Sequence, residues 1–115
     1  MFSESIIRPM KISLISFNPG CNGKIQAARA AASYVERASV RGCSLVIFPE
    51  MTLTGFDVNN RGIVEKEAES ETIRQFKIAA TTYNIHIIFG LLLERTGADV
   101  IQNVLCVAYP DGRDV

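Results

Sequence analysis

The chain has 115 residues, 48% of them hydrophobic and 21% charged, with Lys+Arg and Asp+Glu balanced at 12 each. That composition argues against disorder, and a net charge of zero removes the electrostatic basis for nucleic-acid binding, since no basic patch is available to release phosphate counterions. No run of about 18 or more apolar residues could form a membrane-spanning helix, and residues 1–9 (MFSESIIRP) lack the charged start and apolar core of a secretory signal, so the expectation is a cytoplasmic protein that engages no membrane.

In chain order, residues 11–17 predict a first strand, with Ile12, Leu14, Ile15 and Phe17 apolar. A helix follows over residues 23–41, because Ile25, Ala28, Ala32, Val35 and Ala38 recur at three- and four-residue spacing, with Lys24, Arg29, Glu36 and Arg37 on other faces. Gly42 supplies a left-handed cap at its end. The loop between these elements (NPGCNG, residues 18–23) is a near miss for a phosphate-binding loop. Only two residues separate Gly20 from Gly23, and Ile25 stands where a Ser or Thr would hold magnesium. The simpler reading is a Pro-Gly turn with Asn22 as the cap of the helix.

Residues 44–48 form a second strand. Leu45, Val46, Ile47 and Phe48 make a run too short for a helix and suited to a strand buried on both faces. Pro49 has no N–H to give to a ladder and biases Phe48 toward extended geometry, so the chain leaves the sheet with Glu50 as its first ionisable side chain. The carboxyl ends of parallel strands are where such sheets bind ligands. A carboxylate there, among Phe48, Met51, Leu53 and Phe56, is desolvated enough for its pKa to rise, which suits a general base. Position alone leaves open a solvated loop residue or a cap for the next helix.

A second helix is expected over residues 65–82, with Ile73, Phe76, Ala80 and Tyr83 on one stripe and Glu65, Glu67, Glu69 and Glu71 early, where negative charge suits the helix dipole. Asn84 can end it. Strands over residues 85–93 and 101–109, joined through Thr96, Gly97, Ala98 and Asp99, read as a hairpin. The result is an α/β chain of four strands and two helices in the order β-α-β-α-β-β.

The cysteines, Cys21, Cys43 and Cys106, match neither zinc-site spacing nor a redox Cys-x-x-Cys, so no metal site is expected. Cys106 lies in a buried strand where a thiol acts as a small apolar side chain, Cys43 reads as packing, and no base accompanies Cys21. His86, the single histidine, alternates with apolar residues on a strand and reads as structural, with no partners for a triad.

Residues 46–56, VIFPEMTLTGF, resemble the segment around the catalytic Glu of the nitrilase, or carbon–nitrogen hydrolase, superfamily. Residues 10–18 are similar to that family's first strand, residues 89–94 to its Gly-Leu-x-Glu stretch, and residues 103–112 (NVLCVAYPDG) to its Asn-containing strand ending in a Pro-Asp-Gly turn. Order and spacing fit as well, and the Met-Thr-x-Thr-Gly-Phe form resembles small bacterial omega-amidase-like members. The resemblance implies the N-terminal part of a nitrilase-like α-β-β-α sandwich: residues 1–9 as an extension and residues 10–115 as an incomplete domain.

It also implies a chemistry. The family uses a Glu, a Lys and a Cys on the carbon–nitrogen bond of a small amide, with no metal or organic cofactor. Glu50 matches the general base, Met51 and Phe56 stand beside it as pocket-lining candidates, and the Lys and Cys have no match among these residues. Glu94 aligns with a frequent family Glu and reads as structural. Members commonly associate, so a homo-oligomer is expected of the full-length form. The chain alone, with an open sheet face and edge, is expected to be inactive and prone to association. Two alternatives stand beside the amidase reading: an inactive remnant or one part of a split enzyme, and a small α/β nucleotide-binding module.

Overall fold

The computed structural model describes residues 9–16, 24–49, 65–66, 70–95, 97 and 100–115. Its elements are β1 (Ile12–Leu14), α1 (Lys24–Val40), β2 (Leu45–Ile47), β3 (Glu65–Lys66), α2 (Glu71–Tyr83), β4 (His86–Glu94) and β5 (Ile101–Ala108).

β1, β2 and β4 lie side by side and parallel, with Ile12 opposite Leu45, Leu45 opposite His86 and Ile47 opposite Ile88. Parallel neighbours need a crossover, and α1 and α2 supply the two. β5 runs antiparallel along β4 from Ile87↔Ala108 to Glu94↔Ile101, which is the expected hairpin, with Gly97 at a φ of 77° in its connection. Because β5 occupies one edge of β4 along its length, β2 and β3 share the other edge, β2 opposite His86 to Ile88 and β3 opposite Leu93 and Glu94.

The short strand β3 corrects the expectation of a helix from residue 65. Glu65 and Lys66 pair with β4, and α2 begins at Glu71. Ser70 sets that start: in extended geometry, its side chain accepts the Ile73 N–H at 3.0 Å and satisfies one of the donors that a first helical turn leaves open. The expected caps at the other ends hold. Gly42 takes a φ of 81°, with Cys43 N–H donating to the Ala38 carbonyl at 3.0 Å. Asn84 is left-handed at φ 51° and its N–H returns to the Ala80 carbonyl.

Both helices cover one sheet face. Ala27, Ala28, Ala31, Val35 and Ala38 of α1 are buried, and Phe76, Ala79 and Ala80 of α2 meet the same core, with Thr72 also buried. The expected stripe on α1 holds at Ala28, Val35 and Ala38; it departs at Ala31, which is buried where Ala32 is only half-buried, and the side chain of Ile25 lies outside the described residues. From the sheet, the alternating set Val46, Ile87, Phe89, Leu91 and Ala108 points at the helices. The opposite set lies on the far face, where Ile12, Leu14 and Leu105 are 46%, 75% and 69% exposed. No described helix is long and apolar enough to cross a membrane.

Candidate functional site

Three parallel strands, β1, β2 and β4, point their carboxyl ends the same way, and β2 is the middle one. Its exit is tightly held. Ile15 N–H donates to the Ile47 carbonyl at 2.9 Å from one side, and Phe48 N–H donates to the Ile88 carbonyl at 2.8 Å on the other. The Phe48 side chain is 2% exposed and meets the ring of Phe76 edge-on, with centroids 5.5 Å apart. Phe76 in turn stacks on Phe89 at 4.2 Å. The chain thus reaches Pro49 from the centre of the sheet with its last strand residues anchored by α2 and β4, while β4 continues past this level to Glu94.

Glu50, the expected base, follows Pro49 directly in sequence; Glu50, Met51 and Phe56 all lie outside the described residues. What the described residues fix is the sheet position from which that segment departs. A carboxylate introduced at such a strand end can serve as a base when its surroundings are apolar. The sequence signal for the anchor was weak, because Phe76 and Phe89 are distant along the chain and nothing local marks them as partners of Phe48.

The other candidates separate clearly. Cys106 sits on the helix-facing side of β5, opposite Phe89, half-buried and packed against the core. Burial pushes its thiol above the ordinary value, with the positive charge of Arg95 pulling the other way, so it is a poor nucleophile. Cys43 is also half-buried against the core. Cys21 and residues 20–23 of the near-miss phosphate loop lie outside the described residues. His86 is exposed at the start of β4 and meets Tyr109 edge-on at 5.8 Å. Glu94 ends β4 between Lys66 and Ile101. Among the described residues, no group of three or more His, Cys, Asp or Glu could hold a metal ion.

Strong charge pairs are found elsewhere, on the surface. Arg74 and Gln75 hydrogen-bond to the Glu71 carboxylate at 2.6–2.8 Å and lower its pKa to about 2. Arg113 likewise holds Asp111 below the usual carboxylate range while lying over the Tyr109 ring. The Pro110-Asp111 turn is closed by Gly112 N–H donating to the Tyr109 carbonyl at 3.2 Å, with Gly112 at a φ of 79°.

The family model for carbon–nitrogen hydrolases matches residues 16–114. The chain belongs to the carbon–nitrogen hydrolase family. Solved structures share its fold: a CN-hydrolase superfamily protein of Xanthomonas campestris superposes with a TM-score of 0.78 at 21% identity, over 90% of this chain and 38% of that one. An amidase from Nesterenkonia sp. gives 0.71 at 17% identity, over 92% and 40%. A carbon-nitrogen hydrolase from Helicobacter pylori gives 0.73 at 16% identity, over 90% and 37%. This carbon–nitrogen hydrolase chain therefore spans about two fifths of those solved relatives, and its architecture is the N-terminal part of the nitrilase-like α-β-β-α sandwich, one helix layer on one sheet. No curated protein matches it.

Proposed function

We propose that this chain supplies the general base of an amidase acting on small non-peptide amides, with Glu50 as that base. The observation that carries the reading is the family match across residues 16–114, within which Glu50 follows the anchored exit of a central parallel strand. A variant of the Nesterenkonia amidase, with a Glu changed to Gln and a Cys to Ala, was solved in complex with acrylamide. That supports a small amide as the substrate class.

In the mechanism, Glu50 takes the proton of a Cys thiol supplied by the remainder of the enzyme. The thiolate attacks the amide carbonyl carbon, and a Lys, also from the remainder, stabilises the tetrahedral oxyanion. The C–N bond breaks as the nitrogen takes the proton from Glu50 and departs as ammonia or an amine. Glu50 then draws a proton from water, whose hydroxide adds to the thioester carbonyl and expels the Cys thiolate with release of the acid; the thiolate takes the proton back from Glu50, restoring both groups. Met51 and Phe56, beside Glu50 in sequence, are proposed to line the pocket. The chemistry needs no metal or organic cofactor, and the working form is a cytoplasmic homo-oligomer.

The length relation to the solved relatives favours a second statement, that this chain is one part of the working enzyme and is inactive by itself. Ammonia release from glutaramate-like amides tests both. The purified chain is expected to release none, and the chain completed with a Lys-bearing strand and a later Cys is expected to turn over. Release that tracks the purified chain alone, or an inactive completed enzyme, contradicts the reading.

A further inference from the structure

We draw no further inference here: the strongest candidate, the apolar sheet face turned away from α1 and α2 on which Ile12, Leu14 and Leu105 are exposed, carries nothing because nothing in the structure shows what covers it.

Discussion

Phe48 and Phe76 meet edge-on with ring centroids 5.5 Å apart, and this contact ties the exit of β2 to the middle of α2. Phe76 is 2% exposed and also stacks on Phe89 of β4, so truncating it leaves a cavity against the rings of Phe48 and Phe89. Phe76→Ala is expected to cost about 3–5 kcal/mol, enough to unfold a marginal domain, while Phe76→Leu fills more of the space and costs less. Urea unfolding followed by circular dichroism checks this. An Ala variant with an unchanged midpoint would show that the three rings are not the keystone of this core.

Ser70 fixes where α2 begins, and its hydroxyl has a defined acceptor role toward Ile73 N–H. Ser70→Ala is expected to lower stability by about 1 kcal/mol, and Ser70→Asp to restore it, because either short oxygen-bearing side chain can cap the first turn. The same urea midpoints decide. Equal stability of the Ala and Asp variants would place the helix start under another control.

Much of this fold was legible from local chemistry. Gly42 and Asn84 could be read as helix ends because a left-handed residue there is inexpensive only for Gly or Asn, and both are left-handed. The apolar run at 45–48 and the hairpin around Gly97 were legible for similar local reasons. The phase of α1 was harder, since Ala27, Ala28, Ala30, Ala31 and Ala32 blur the 3.6-residue period that marks a buried face.

β3 was not legible at all. Two charged residues carry no strand pattern, and their pairing depends on β4, whose matching residues come 28 positions later in register (Glu65 with Leu93). The four Glu residues between 65 and 71 suit a first helical turn at several starting points, and only Ser70 distinguishes them. For the site, Glu50 was marked by its motif and by Pro49. The anchoring of Phe48 depends on rings brought in from α2 and β4, a long-range contact that no local pattern reports.

Hydrogen bonds from Arg74 and Gln75 lower the pKa of the Glu71 carboxylate to about 2 in the folded chain, from 4.5 for a free glutamate side chain. A folded pKa below the unfolded one means the unfolded chain binds more protons between those values. The contribution is therefore fully present above about 4.5 and is lost as pH falls toward 2. Because the pair is exposed, the effect is expected to be small and reduced by salt. Glu71→Gln should flatten the acid limb of the thermal midpoint between these pH values at low ionic strength. An identical acid limb in the variant would assign that limb to other carboxylates, Asp111 with its Arg113 partner first among them.

Leu105 is 69% exposed on a sheet face that also presents Leu14 at 75%. Exposed apolar surface of this kind favours association, so the purified chain is expected to sediment as mixed oligomers, and Leu105→Lys to shift it toward monomer. Sedimentation velocity over a concentration series reads this out. A sharp monomer boundary for the unsubstituted chain would contradict it.

If Glu50 is the base, turnover of the completed enzyme must depend on its carboxylate, which Glu50→Gln removes. Gln keeps nearly the shape of Glu but accepts no proton, so turnover of a small amide is expected to fall by about 10²-fold or more, with the fold intact by circular dichroism. Turnover retained near the unsubstituted level would mean that the proton is taken elsewhere, and Glu50 would lose its role.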